Sequence, residues 1–160
     1  MARRFRLCWQ TVVQQLEPIY VRRSAIDGFT LALGDALAYY TGMNSRFLGL
    51  ISELSKVSPD ENIAIMTAAY ANFLQSKERA GIERAVLLNT FVRDGFGERM
   101  FHRFLNLPTT QDNSMNVFLS LASDEHKQFY ADTLKGEAVN ETTRMRRLAN
   151  RPTSPRSPII

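Results

Sequence analysis

A run of charged residues, KERAGIER, is the part of this chain best suited to chemistry. It holds three cations, Lys77, Arg79 and Arg84, and two carboxylates, Glu78 and Glu83. The planar fork of an arginine can bond two oxygens of one planar oxyanion, and a lysine adds a point charge. The run therefore suits a site for a small anion, and equally a network of internal ion pairs.

The cations lie in a segment whose apolar residues recur with helical spacing. At about 100° per residue, Lys77 lies at the centre of an apolar stripe and Arg84 about 20° from it. Gly81 lies between them, whereas Arg79 points to nearly the opposite side. Within roughly 40° of Lys77 the stripe holds Ile63, Met66, Tyr70, Phe73, Leu88 and Phe91. We therefore expect Lys77 and Arg84 to face the interior, where an unpaired charge costs several kcal/mol and partners must exist.

Two interpretations of this charged seam, residues 77–84, stay open. In the first, Glu53, Glu78 or Glu83 pairs with the cations, or the long cationic side chains reach solvent at the edge of the fold. In the second, the missing side chain of Gly81 leaves room for an oxyanion beside Arg84.

The elements that position the seam are predicted to be helices. Apolar residues recur at spacings of three and four, and we find no strand pattern or tandem repeat. The sequence predicts an all-α fold, an antiparallel bundle of about four to five helices joined by short loops. The predicted helices are residues 3–16, 19–57, 59–93, 96–122 with a break at Pro108, and 124–149 with an interruption at Gly136.

Local signals sharpen these predictions. Ser58 is the expected cap of the third helix in a capping box, and Ser123 is the expected cap of the fifth. On the second helix, Tyr40 is predicted to lie in the core. Asn44, one turn later, is predicted to hydrogen-bond across to the charged seam.

Composition narrows the function classes. The chain has 160 residues, which is enough for one core and too short for two. The single cysteine, Cys8, excludes an internal disulfide, and the two histidines, His102 and His126, lie in no cluster with metal-ligand spacing. Since no phosphate loop or nucleophile motif is present, we expect neither an enzyme nor a bound metal or cofactor.

The charge distribution is uneven, with arginines at both ends and a net charge of +4. Basic ends are more often solvated charge than a nucleic-acid surface, so nucleic acid is not the expected partner. No window approaches the roughly 20 apolar residues of a membrane span, and the first residues lack a signal peptide's apolar region. As written, the chain is expected in the cytoplasm. Three parts are expected: a basic segment at residues 1–18, a bundle at 19–150 and a disordered tail at 151–160.

At this point the residues support a resemblance to a known family. NFLQSKERAGIERAVLLNTF, residues 72–91, resembles the central motif of the NIT domain, a nitrate- and nitrite-sensing module of bacterial signal-transduction proteins. AYYTGMNSRFLGLISELS, residues 38–55, resembles the family's preceding segment. Downstream, Gln111, Phe118 and Ala122 match a further family pattern. The resemblance covers roughly residues 20–149 and looks like the C-terminal half of such a domain.

The resemblance implies a sensory module of packed helical bundles in which arginines from different helices hold nitrate or nitrite. Carried over to this chain, the motif implies Arg79 or Arg84 as an anion contact. The helical count favours Arg84 for the core of this bundle, and Arg79 is the alternative if it faces a second bundle. Lys77 is a further candidate contact and Arg146 a weaker one. Gly81, Tyr40 and Asn44 are expected to support them.

Partners are implied as well: an output domain, and either a homodimer mate or the missing N-terminal half-domain. The family module often sits outside the cytoplasm in membrane receptors, so a membrane is expected only through absent segments. The alternative function is a helical interaction or dimerisation module whose charged seam is a structural ion-pair network, and such a module would expose a large apolar face.

Overall fold

The computed structural model describes residues 2–96 and 100–150. These residues form helices and no strand, so the predicted all-α class is confirmed. The helices are α1 (Ala2–Leu16), α2 (Ile19–Asp27), α3 (Leu33–Val57), α4 (Glu61–Val92), α5 (Met100–Leu121), α6 (Asp124–Thr133) and α7 (Glu137–Ala149). The predicted disordered tail at 151–160 lies outside the described residues.

The predicted second helix, residues 19–57, is two helices. Phe29 adopts a left-handed backbone with φ of 53°, and the amide of Thr30 donates to the carbonyl oxygen of Ala25 at 2.9 Å. These contacts close the end of α2, and Gly28, just before them, is its C-terminal cap. The sequence predicted one continuous helix here because Phe29 continues the helical spacing of the apolar residues, yet Phe29 is 95% exposed.

The junction before α4 is capped by a different residue from the one predicted. The Asp60 carboxylate accepts the backbone N–H of Ile63 at 3.0 Å, while the Ser58 hydroxyl donates to the carbonyl oxygen of Asp60. An aspartate is as good an N-cap as a serine, and it lies one position before the first helical residue. The predicted cap at Ser123 is confirmed, since its hydroxyl accepts the N–H of His126.

Pro108 does not break α5, contrary to prediction. A proline inside a helix loses one backbone hydrogen bond and costs roughly 3 kcal/mol or more. Burial of Phe104 and Leu107 on the same helix offsets that cost, because both lie in the main apolar cluster against α4. The predicted interruption at Gly136 is confirmed: its φ of 103° separates α6 from α7.

The core is arranged around α4, which packs against α3 and α5, while α1 packs on α3. The larger cluster joins three helices and consists of Ile82, Val86, Leu87, Phe104, Leu107 and Ala149. A second cluster forms where Ala69 meets Phe118 and Ala122. α4 therefore supplies one wall of every site considered below.

None of the helices described, over residues 2–96 and 100–150, has the length and apolar character needed to cross a membrane.

Replacing Phe104 tests this arrangement. Phe104 is fully buried, so Phe104→Ala should lower the free energy of unfolding by about 3–5 kcal/mol through lost burial and the cavity left behind. Urea unfolding followed by circular dichroism measures this change. Leu105→Ala, one position along the same helix and 44% exposed, is the matched control and should cost less than about 1 kcal/mol. Equal losses in the two variants would contradict the described packing of α5.

Candidate anion-binding site

The Glu83 carboxylate is buried and fully engaged. Nε of Arg146 donates to Oε1 of Glu83, and Nη2 of Arg146 donates to Oε2 at 2.6 Å. Nε2 of Gln111 also donates to Oε2 of Glu83, at 2.7 Å. Nη2 of Arg146 also donates to Oε1 of Gln111 at 2.8 Å. The hydrogen bond to Glu83 raises the pKa of the Arg146 guanidinium, while burial opposes this. Arg146, one of the predicted anion contacts, therefore lies in an ion-pair network that joins α4, α5 and α7.

A polar cleft lies between α3 and α4 at the level of the charged run. Its volume is about 240 Å³. Arg79 lines it and is half-buried, and in the part of the chain that the structure describes no ion pair or hydrogen bond engages its guanidinium. The lining residues are Thr41, Ser45, Leu48, Gly49, Ser52, Gln75, Glu78 and Arg79.

The donors in this cleft divide into two groups. The hydroxyls of Thr41 and Ser52 donate to the carbonyl oxygens one turn earlier in α3, at 2.6 and 3.0 Å. Ser45 and Gln75 have no hydrogen-bond partner for their side chains among the described residues. One cation and two neutral donors are thus available in a single cleft.

One carboxylate, that of Glu78, also borders the cleft. Nδ2 of Asn44 donates to Oε2 of Glu78 at 2.8 Å, which confirms the predicted hydrogen bond from Asn44 to the charged seam. Tyr40, predicted in the core, is only half-buried; the buried ring is its neighbour Tyr39, whose hydroxyl donates to the carbonyl oxygen of Gln15 at 2.8 Å. The two tyrosine rings meet edge to face at 5.2 Å.

Lys77 and Arg84 lie on the outside, so the prediction that they face the interior is wrong. Gly81 is exposed with them, and a Cβ added there would meet nothing within 4 Å. Four large apolar residues of their stripe are exposed too, with exposed fractions of 56% for Ile63, 58% for Met66, 54% for Tyr70 and 65% for Leu88. The other two, Phe73 and Phe91, are half-buried at the edge of the stripe and pack against the two apolar clusters.

The buried face of α4 carries the apolar Ile82, Val86 and Leu87 and, beside them, a row of small and polar side chains. That row is Ala69, Ser76, Glu83 and Thr90, each seven residues after the last. Small side chains let neighbouring helices approach closely, and a buried carboxylate is tolerated where cation and amide partners reach it. Hydrophobicity alone misses such a face; the seven-residue spacing was the available signal. Sequence analysis also missed Ser45 and Gln75, since isolated polar residues on helices have no distinctive pattern.

No group of three or more His, Cys, Asp or Glu side chains that could hold a metal ion occurs within residues 2–96 and 100–150.

Comparison with known proteins identifies the class of molecule to which this helical chain belongs. A family described as nitrate and nitrite sensing matches residues 2–159, which places the protein among sensory domains. More specifically, the chain belongs to the NIT family. The match starts at residue 2 and spans nearly the whole chain, so two expectations are corrected: that the resemblance begins only near residue 20, and that it is to a C-terminal half only.

A curated relative agrees with this assignment. The chain is 25% identical over 145 residues to the nitrate regulatory protein of Klebsiella oxytoca. The alignment covers 89% of this chain and 36% of that protein, so the chain spans about a third of the relative's length. No solved structure matches.

Removing one partner of the buried pair tests the role of Arg146. Arg146→Ala leaves the Glu83 carboxylate buried without its cation, which costs about 3–5 kcal/mol for a fully enclosed pair. Since the Arg146 side chain is 29% exposed, water can reach the site, and we expect about 2–3 kcal/mol in urea unfolding.

Arg144→Ala is the control for this change. Arg144 pairs with Glu141 on the surface of the same helix at 2.6 Å, so its loss should leave the unfolding midpoint unchanged within error. A wild-type midpoint for Arg146→Ala would show that Glu83 does not depend on this cation.

Proposed function

We propose that this protein senses nitrate or nitrite by binding the anion in the cleft between α3 and α4, with Arg79 as the principal contact. The observation that carries the proposal is an arginine that lines a polar cleft and has no ion pair within residues 2–96 and 100–150, in a family of nitrate and nitrite sensors. The other candidate arginine contacts are less suited: Arg146 is engaged by Glu83, and Arg84 faces solvent on the outer side of α4.

The chemistry of the cleft suits a planar oxyanion. Two oxygens of nitrate or nitrite can accept parallel N–H bonds from the guanidinium of Arg79, and such charge-assisted bonds are about twice as strong as neutral ones. Ser45 and Gln75 offer donors for the remaining acceptor positions. The cleft has a volume of about 240 Å³, several times the roughly 30 Å³ that a water molecule occupies, so it has room for a small oxyanion together with water.

Glu78 opposes the anion and thereby sets how tightly it binds. Its carboxylate borders the cleft and carries the same sign of charge as the ligand. The hydrogen bond from Asn44 neutralises none of that charge but fixes the carboxylate against α3. Weak, reversible binding is the expected result, which suits a sensor that must release its ligand.

Binding in this position would link two helices. Ser45 belongs to α3, whereas Gln75 and Arg79 belong to α4, so one anion would bridge both. A ligand that contacts two helices favours the helix arrangement in which both sets of contacts form, and so shifts the population between arrangements. In a longer regulatory protein, a neighbouring output domain would receive this shift.

A comparison of two arginines in the same motif tests the proposal. Arg79→Ala should weaken the binding of nitrate and nitrite roughly ten- to hundred-fold, because a hydrogen bond to a charged group contributes about 1.5–3 kcal/mol. Arg84→Ala, the matched control five residues on, should bind like the wild type. Calorimetric titration measures both, with chloride as a control ligand. Loss of nitrate binding in Arg84→Ala but not in Arg79→Ala would place the site elsewhere.

A second variant acts in the opposite direction. Glu78→Gln removes the opposing charge while keeping the shape of the side chain, so nitrate should bind several-fold more tightly at low ionic strength. Titrations at low and high salt measure the gain, which should shrink as salt is added. Weaker binding in Glu78→Gln would mean that the carboxylate supports the site rather than opposes the ligand.

A further inference from the structure

Among the residues that the structure describes, none covers the outer face of α4 around Lys77, Gly81 and Arg84. The described parts of the chain leave Lys77, Gly81 and Arg84 exposed at its centre, and neither cation forms an ion pair there. Exposed apolar side chains continue the face on both sides, from Ile63 to Val92, over about 43 Å of helix at 1.5 Å per residue. A long exposed apolar face is typical of an interaction surface.

A second helix of the same chain presents the complementary pattern. On α6, Glu125, Phe129 and Asp132 are exposed, and Phe129 is 70% exposed. Their spacing is i, i+4, i+7, so at about 100° per residue they lie within roughly 60° of one another on one face. The central trio of α4 has the same spacing, with cations at the two ends and a glycine between them.

We propose that α6 of one copy of this chain docks on the outer face of α4 of a second copy. In parallel register Lys77 meets Glu125 of the second copy, Arg84 meets its Asp132, and its Phe129 lies over Gly81. The glycine leaves the space that the aromatic ring needs, because nothing lies within 4 Å of the position of a Cβ there. The charges of the paired residues, their spacing and the space above Gly81 therefore all fit α6 of a second copy.

Existing contacts of the two acids do not prevent this docking. Asp132 binds Lys135 and Gln128, each at 2.9 Å, but both contacts are local and exposed, so they exchange readily with an intermolecular pair. Among the described residues Glu125 has no ion pair.

Symmetry doubles the contact. A two-fold axis places α6 of each copy on α4 of the other, so the same contact forms twice. With α6 only ten residues long, about 15 Å, each contact is small. The total falls in the class of weak interfaces, and we expect a dissociation constant of about 10–100 µM that rises with salt. This association does not depend on anion binding at Arg79.

Charge reversal with complementation tests the proposal by sedimentation equilibrium. The variant Lys77→Glu/Arg84→Glu and the variant Glu125→Lys/Asp132→Lys should each be monomeric where the wild type associates. Mixed in equal amounts, the two variants should form a heterodimer. The acidic α4 of the first variant then meets the basic α6 of the second, and the basic α4 of the second meets the acidic α6 of the first. Circular dichroism verifies that each variant is folded.

Two further variants separate specific docking from general effects. Arg103→Glu/Arg147→Glu changes the net charge as much as the α4 variant, at exposed positions elsewhere, and should associate like the wild type. Phe129→Ala should weaken association roughly tenfold or more, since it removes the central aromatic contact. A monomeric wild type at several times the expected dissociation constant, no complementation on mixing, or unchanged association of the α4 variant would overturn the proposal.

Discussion

The hydrogen-bonded ion pair between Glu83 and Arg146 is the interaction on which the C-terminal part of the fold depends. A carboxylate as buried as that of Glu83 destabilises a protein unless cation and amide donors reach it. Arg146 and Gln111 supply those donors from α7 and α5, so the position of one acid on α4 fixes two other helices. The pair also decides which arginine is free for a ligand, because an arginine already bonded to a carboxylate has few donors left for an anion.

α4 separates its charged groups between two opposite sides. Glu83 in the buried ion pair and Arg79 at the cleft against α3 are four residues apart and point within about 40° of each other, whereas Lys77 and Arg84 are exposed on the opposite side. A run of eight residues can do this because successive residues on a helix point about 100° apart. The anion site and the dimer contact that we propose are therefore neighbours in sequence and remain physically separate.

The sequence predicted the helical class, the helices around α4, the turn at Gly136 and the hydrogen bond from Asn44. Helical periodicity and local turn signals determine these features. Prediction from the sequence failed where a longer-range interaction overrides the local pattern. Pro108 remains helical because tertiary burial of Phe104 and Leu107 offsets the lost hydrogen bond. The orientation of α4 was predicted wrongly, since large apolar residues indicate burial only when a neighbouring element covers them. Which arginine is free could not be predicted, because the partner of Glu83 lies 63 positions along the chain.

The left-handed glycine before α7 has a consequence for motion within this helix. α7 starts at Glu137 after Gly136, which as its N-cap provides no side-chain hydrogen bond, and most of its first two turns is exposed. Its anchors, Arg146 and Ala149, are both near its far end. Backbone amides of the first turns should consequently exchange their hydrogens with solvent rapidly, whereas those near Ala149 open only when the ion pair breaks. α7 is thus attached to the bundle mainly near its C-terminal end, and its N-terminal turns are the less protected part of the helix.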